Sequence, residues 1–286
     1  MNKHICTRVA AGVLAVGIAV AVPGAAFASR STVPAVSAGG ANANFASANT
    51  STAAGGSSTA GSGSASNPVC AKFSTLQTTL EGQLSSRVTL LNTLTSRVNG
   101  ANATYLGSDK ATLLADLSSE LSGIQGLQPV VQGDTTCAEL KTAAHTMVYT
   151  YRVYMVMAPQ TDLTVATDTE TGVAAYIQTL YPKIAAAIQA AQNSGNPNAG
   201  AAQASFTDLQ SQVTAAQGAV SGLSAQLLAQ NPSGAPGNSG VFTSARNSVT
   251  TARGDLKAAR ADIKQIMTDL KVSTTSSSGT SAAPQG

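Results

Sequence analysis

Residues 201–271 carry a hydrophobic pattern that few folds accommodate. Apolar residues recur there at alternating steps of three and four, on both sides of the polar segment NPSGAPGNSG at 231–240. They are Phe206, Leu209, Val213, Ala216, Val220, Leu223 and Leu227 before that segment, and Phe242, Ala245, Val249, Ala252, Leu256, Ala259, Ile263, Ile266 and Leu270 after it. This spacing is the seam of a coiled coil. It predicts two helices, 201–230 and 241–271, that fold back on each other as an antiparallel coiled-coil hairpin.

The residues before the hairpin show the periodicity of further helices. Between Val69 and Val98 apolar residues recur at a mean step of about 3.6, and Asn99-Gly100 ends the pattern. Similar signals predict a helix over 108–124, a helix from about 135, and a break at 193–200. We therefore expect an all-α fold: an elongated antiparallel helical bundle over residues 68–272 that ends in the coiled-coil hairpin.

Residues 1–28 have the pattern of an export signal. Lys3 and Arg8 give a basic start, an apolar run follows at 9–22, and Ala26-Phe27-Ala28 is a small-x-small cleavage pattern. The apolar run is shorter than the ~20 residues that span a bilayer. We expect cleavage between Ala28 and Ser29, and a secreted protein, with or without retention at the cell wall, that has no transmembrane segment after signal removal.

Two segments that flank the predicted bundle are of low complexity. In residues 29–67, Ser, Thr, Ala, Gly and Asn fill all but five positions, and residues 273–286 have a similar composition. Such segments contain too little apolar surface to offset the entropy lost on ordering. They are predicted to be a disordered linker and a disordered tail.

Cys70 and Cys137 are the two cysteines that remain after signal removal. In an oxidising compartment such a pair is expected to form one disulfide. A metal site is the alternative, but the chain after the signal has a single histidine, His145, and no cluster of ligands accompanies it. We expect the disulfide and no metal.

The last predicted helix carries a basic row on one flank of its seam: Arg253, Lys257, Arg260 and Lys264. One interpretation is a surface that contacts a polyanion, such as teichoic acid or nucleic acid, without base specificity. The other is a solvated face, or a face inside the bundle that pairs with the acidic row Asp109, Asp116 and Glu120. We favour the second interpretation, since rows of charge are usually solvated.

The stretch MVYTYRVYMVMAP at 147–159 is the most apolar part of the predicted bundle. It favours a helix buried on all sides at the bundle centre, and a strand is the weaker alternative. Arg152 would then need a partner, because an unpaired buried charge is costly. Asp162, Asp168 and Glu170 are the nearest candidates, and we expect a buried ion pair with Asp162 or Asp168. A pocket around Arg152 and the tyrosines is the less favoured alternative.

Catalytic patterns are missing from the sequence. His145 lies beside alanines at a helical position, and there is no Gly-rich phosphate loop, metal-ligand cluster or nucleophile elbow. We therefore expect no cofactor and no enzymatic activity, but a structural or interaction protein whose partner is a protein or a cell-wall polymer. The alternatives are a polyanion-binding surface protein and a carrier of a small apolar ligand in the bundle core.

The leader, the segment TYRVYMVMAPQTDLTVATD at 150–168 and the terminal ARxDLK heptads together resemble a family of secreted α-helical proteins of high-GC Gram-positive bacteria. The resemblance covers residues from about 135 to 271. It implies export and a helical fold, and it transfers no functional site.

Overall fold

The computed structural model describes residues 72–271, of which 89% are helical and none lies in a strand. The α-helices are α1 (Phe73–Gly100), α2 (Ala103–Leu106), α3 (Asp109–Gly133), α4 (Cys137–His145), α5 (Ala158–Asn193), α6 (Ala199–Val220), α7 (Leu223–Leu228) and α8 (Asn238–Lys271). Two π-helical segments, Thr146–Thr150 and Val153–Met157, connect α4 to α5, and a 3-10 turn at Pro232–Gly234 precedes α8. The predicted all-α bundle is confirmed.

Several sequence predictions concern residues beyond this range. The leader, the linker and the tail lie outside the described residues, and so do Cys70 and the Ala28–Ser29 cleavage site. Within 72–271, none of the helices combines the length and the apolar character that crossing a bilayer requires.

Helices α1 and α3 run antiparallel, and side-chain hydrogen bonds join them near both ends. Gln77 in α1 donates its side-chain N–H to the carbonyl of Val131 in α3 at 2.7 Å. At the other end, the Lys110 ammonium donates to the carbonyl of Asn99 at 2.9 Å. The predicted end of α1 at Gly100 is confirmed. Helix α3 continues nine residues past the predicted end at Ile124, through Pro129.

Hydrogen bonds between Thr136 and Glu139 fix the start of helix α4. The Thr136 hydroxyl accepts the backbone N–H of Glu139 at 3.3 Å, and the Glu139 carboxylate accepts the backbone N–H of Thr136 at 2.9 Å. This reciprocal pair is a capping box, which satisfies two amide groups that a helix start leaves without partners. The backbone N–H of Thr135, which donates to the same carboxylate at 2.9 Å, and the hydrogen bonds from Thr136 lower the pKa of Glu139. Cys137 is the first residue of α4 and is buried.

The seam predicted for the C-terminal hairpin is buried, apart from Leu270, which is partly buried. Asn196, just before α6, donates its side-chain N–H to the carbonyl of Asp269 near the end of α8 at 3.4 Å, so the two helices run antiparallel. Helix α5 packs against both of them. We call this cluster of α5, α6 and α8 the three-helix core; on α5 it runs from Val173 to Ile188. The coiled-coil geometry itself stays a prediction.

Helix α5 also reaches the rest of the bundle through its first half. Val165 packs into a second core formed by α1, α3, α4 and the π-helical segments, in which Leu84 and Leu91 are fully buried. Leu163 and Ala166 pack into a third cluster with α7 and the start of α8. Each fully buried leucine contributes about 1.5–3 kcal/mol of transfer free energy. The first three turns of α5 therefore pack against two groups of helices, the second core on one side and the third cluster on the other.

The predicted helix over 201–230 is wrong in one respect, because it is interrupted at Ser221-Gly222. Gly222 has a φ of 68°, a left-handed conformation that glycine adopts without a steric penalty. The break separates α6 from the short helix α7, so the seam residues Leu223 and Leu227 belong to α7 and not to α6. It also creates a notch beside α5.

The predicted buried helix over 147–159 is also wrong. The backbone there forms two π-helical segments on either side of Arg152, which has a left-handed φ of 44°. Met147, Val153, Val156 and Met157 are buried, whereas Tyr149, Tyr154 and Met155 are exposed. The left-handed residue between two π-helical turns interrupts the regular helix, and part of this apolar stretch faces solvent as a result. We call residues 146–157 the tyrosine segment.

Candidate functional site

A stripe of polar side chains lies buried along the first half of α5. Gln160, Thr161, Thr164, Thr167 and Asp168 are each less than a tenth exposed. Their spacing of three to four residues places them on one side of the helix, between the apolar side chains that enter the second core and those that enter the third cluster. Burying a polar side chain costs free energy of folding unless the side chain forms hydrogen bonds. Proteins retain such costs mainly at functional sites, so this polar stripe is a candidate site.

Two members of the polar stripe hold α7. The side-chain amide of Gln160 donates to the carbonyls of Leu227, Leu228 and Gln230, at 3.1, 3.3 and 2.9 Å, and so satisfies the end of that short helix. At its other end the Ser224 hydroxyl donates to Oδ1 of Asp168. The last carbonyl groups of a helix have no partner within that helix. Gln160 of α5 supplies those partners for α7, so these hydrogen bonds fix the position of α7 against α5.

Other atoms of the polar stripe have no partner. The hydroxyls of Thr161, Thr164 and Thr167 and the second carboxylate oxygen of Asp168 are buried and make no hydrogen bond to any described residue. Threonines further along α5 behave differently, since the Thr171 hydroxyl donates to the carbonyl of Thr167 at 3.0 Å. A buried polar group that lacks a partner costs about 1–3 kcal/mol. These unpartnered groups of the polar stripe therefore oppose stability.

Asp168 lines an open cleft of about 390 Å³ at the break between α6 and α7. Thr167 and Thr171 of α5, Gln217 of α6, Ser221 and Ser224 also line this cleft, which we call the α5–α7 cleft. Burial raises the pKa of Asp168 to about 6, the hydrogen bond from Ser224 opposes this shift, and the charge of Asp109 adds to it. The carboxylate is thus desolvated and, in the described part of the chain, forms no ion pair.

Asp162 and Asp168 do not pair with Arg152, and the predicted buried ion pair is wrong. Asp162 pairs with Arg97 of α1 at the surface, and Asp168 accepts from Ser224. Arg152 is partly exposed; its Nε donates to the carbonyl of Tyr149 at 3.0 Å, and its guanidinium lies 5.3 Å from the centre of the Tyr149 ring. The left-handed backbone at Arg152 turns its side chain back along the tyrosine segment.

The tyrosine segment is the most exposed apolar part of the described chain. Tyr149, Tyr154 and Met155 are 54, 48 and 52% exposed. Their surroundings hold them in place: the Tyr149 ring stacks on His145 with ring centres 4.5 Å apart, and the Arg87 guanidinium lies 4.9 Å from the centre of the Tyr154 ring. His145 is therefore packed against a ring, although it is itself exposed.

The basic row of α8 is exposed, as the solvated interpretation predicts. Arg253, Lys257, Arg260 and Lys264 all lie on the surface. Arg253 pairs with Glu170 of α5 at 2.7 Å. The predicted pairing with α3 is wrong: among the described residues, Asp109, Asp116 and Glu120 form no ion pair with this row. Burial, and secondarily the charge of Asp116, raises the pKa of Glu120 to about 7.

A second open cleft, of about 350 Å³, lies at the surface between α3 and α4. Leu127, Val130, Ala138 and Thr142 are among its lining residues. Neither this groove nor the α5–α7 cleft is an apolar chamber within the bundle, so neither favours the carrier alternative.

The polar stripe is the feature that sequence reasoning missed. Thr161, Thr164 and Thr167 recur at steps of three in a segment with few charges, and that recurrence is the signal that identifies them. Hydrophobic periodicity does not detect a helix that is enclosed on all sides by partners, because such a helix needs no polar face toward solvent.

Asp168→Asn is expected to raise the free energy of unfolding at about pH 8 by roughly 1–3 kcal/mol, because one unit of pKa shift corresponds to about 1.4 kcal/mol. The ordinary pKa of 3.8 is raised to about 6 in the folded protein. Between these values the folded state binds the proton more tightly, so the free energy of unfolding of the unaltered protein falls as pH rises. The gain from the substitution should therefore vanish near pH 3.8.

Chemical denaturation at both pH values measures this difference. Asp162→Asn is the matched control, because Asp162 lies on the same helix but pairs with Arg97 at the surface. Asp162→Asn should leave the free energy of unfolding unchanged or lower it by no more than about 1 kcal/mol. A loss of stability in Asp168→Asn at about pH 8 would contradict the assignment of Asp168 as an unpaired buried carboxylate.

No protein-family model, no characterised protein and no solved structure matches this chain.

Proposed function

We propose that this protein is an exported interaction protein without enzymatic activity, which acts at or beyond the bacterial surface and contacts its partner through the tyrosine segment. The observation that carries the proposal is the coincidence of exposed aromatic side chains with an irregular backbone. Export rests on the leader pattern at 1–28, and the bacterial setting rests on the sequence resemblance.

The exposed side chains of the tyrosine segment are of the types that dominate protein interfaces. Three of the five large hydrophobic side chains exposed in residues 72–271 fall between Tyr149 and Met155. Tyrosine, methionine and arginine are enriched at interfaces, and tyrosine and arginine supply many of their hot spots. Three such residues exposed within seven positions form a patch, which favours a contact surface, whereas single apolar residues scattered over a surface are ordinary.

The backbone of the tyrosine segment supports the same function. A non-glycine residue in the left-handed region, such as Arg152 with its φ of 44°, costs about 1–3 kcal/mol, and such strain clusters at functional sites. π-Helical turns show the same tendency. Tyr151 packs so closely on α3 that a Cβ at Gly123 would overlap its ring. The strained turn is therefore anchored to the bundle.

Contacts with α4 and α1 also prepare the tyrosines of this segment for binding. His145 stacks on Tyr149, and Arg87 lies over Tyr154, so both rings are partly fixed before a partner arrives. Fixing a side chain in advance reduces the entropy that binding costs. About half of each tyrosine remains exposed and offers apolar area to a partner.

The two alternative functions are less well supported. For polyanion binding, Arg253 is engaged by Glu170, and the opposite flank of α8 carries the half-buried carboxylates Asp255 and Asp262. These charges reduce the positive potential around Lys257, Arg260 and Lys264. For an apolar carrier, both described clefts are open at the surface.

The form found in the culture medium of producing cells is expected to begin at Ser29 and to contain a Cys70–Cys137 disulfide. The Gln77–Val131 hydrogen bond places the start of α1 beside the end of α3, and α4 begins at Cys137 a few residues later. Cys70 precedes α1 by three residues. Intact mass, measured after alkylation with and without prior reduction, tests both features. A chain that starts at Met1, or two thiols alkylated without reduction, would contradict them.

A double variant, Tyr149→Ser with Tyr154→Ser, should bind the surface of producing cells at least about tenfold more weakly than the unaltered protein. Hot-spot side chains each contribute about 2 kcal/mol or more, so loss of two exceeds this factor. Binding of fluorescently labelled protein to intact cells gives the affinity, and circular dichroism verifies the fold.

Tyr176→Ser is the matched control, because Tyr176 is 42% exposed on α5 outside the tyrosine segment. Its binding should be unchanged. A photo-crosslinking residue at position 154 should capture a partner that the same residue at position 176 does not. Equal binding by all three proteins would refute the tyrosine segment as the contact surface.

A further inference from the structure

The α5–α7 cleft has a charge that its surroundings do not balance. It lies at the break between α6 and α7 and is distinct from the tyrosine segment. Asp168 is 7% exposed there; one of its oxygens accepts the Ser224 hydroxyl, and the other has no partner. In the described part of the chain no lysine, arginine or histidine lines this cleft, and none forms an ion pair with Asp168.

The end of α6 adds negative potential at the same place. This helix has 22 residues and ends at Val220, and its last turn contributes Gln217 and Val220 to the cleft wall. The carbonyl groups of a last turn lack intrahelical partners and form the negative end of the helix dipole. No basic residue occupies that turn. Two independent features, a buried carboxylate and a helix C-terminus, therefore favour a cation.

The types of acceptor in the cleft indicate which cation fits. Its polar walls present oxygens on different elements: Ser221 between α6 and α7, Ser224 of α7, and Gln217 of α6, whose side-chain amide is paired with that of Gln178. Residues 72–271 contain no group of three or more histidine, cysteine, aspartate or glutamate side chains that could hold a metal ion, so the cleft lacks the several carboxylates with which proteins hold divalent cations. A guanidinium prefers both oxygens of one carboxylate, but Ser224 occupies Oδ1 of Asp168 and Oδ2 is buried.

We infer that the α5–α7 cleft binds a primary ammonium group, carried by a free amine or by a lysine side chain. Such a group is a compact charge with three donors that can be directed to separate acceptors. Its charge balances Asp168, and its N–H groups meet the hydroxyls and the carbonyls of the last turn of α6. The unpartnered carboxylate that opposes folding is thereby assigned a role in binding.

Titration of the full-length exported protein with n-butylammonium chloride, followed by amide chemical shifts, tests this inference. We expect saturable shifts at residues 217–225 and 168–171, with an affinity at least about tenfold weaker in Asp168→Asn. Asp208→Asn is the matched control, because Asp208 is an exposed acid on α6 outside the cleft; its affinity should be unchanged. n-Butanol, which has the same chain without the charge, should give no saturable shift.

A second pair of variants tests the inference without altering Asp168. Thr171 is exposed at the rim of the cleft, one turn from Asp168. Thr171→Lys supplies a tethered ammonium and should abolish binding of n-butylammonium, whereas Thr171→Gln should retain it. A blocked lysine peptide used as a second probe distinguishes the sources: tighter binding than n-butylammonium assigns a polypeptide ligand, and weaker binding assigns a free amine.

Two results would overturn the inference. One is the lack of any saturable shift with either amine at millimolar concentration. The other is an affinity that Asp168→Asn and Thr171→Lys leave unchanged. Either result would leave the proposed role of the tyrosine segment untouched, because that segment is tested by cell-surface binding with its own variants.

Discussion

Close approach of α8 to α5 and α6 is the contact on which the rest of the fold depends. Alanines make it possible: Ala252 and Ala259 of α8, Ala202 of α6 and Ala174 of α5 are fully buried between larger apolar residues. A methyl side chain lets neighbouring backbones approach, so that leucine, isoleucine and phenylalanine from the facing helix fill the remaining space at native density. The three-helix core is thereby a rigid support for everything that α5 carries.

Because the second half of α5 is fixed in this core, its first half can tolerate features that cost stability. The polar stripe with its unpaired hydroxyls, the desolvated Asp168 and the strained turn at Arg152 all lie within about seventeen residues of one another along the chain. Proteins accept such costs at functional sites when packing elsewhere compensates. Both proposed binding surfaces, the tyrosine segment and the α5–α7 cleft, adjoin this stretch.

The sequence predicted best those features that local chemistry decides. The seam residues, the end of α1 at Gly100 and the start of α4 near Thr136 follow from side-chain spacing and capping within a few residues. The sequence did not predict the partners of Asp162 and Asp168 correctly, because Arg97 and Ser224 reach these carboxylates from remote parts of the chain. The sequence also did not predict the conformation of the tyrosine segment, because composition alone does not distinguish a buried helix from an irregular exposed turn.

Replacing each of two alanines of α8 by leucine tests the packing of the three-helix core most directly. Ala259 is fully buried in it, whereas Ala261, two residues later on the same helix, is exposed. Chemical denaturation of Ala259→Leu should show a loss of about 1–3 kcal/mol in the free energy of unfolding, because the added atoms force α8 away from its partners. Ala261→Leu should change it by no more than about 0.5 kcal/mol. Equal effects of the two substitutions would contradict the account, since α8 would then not pack closely on α5 and α6.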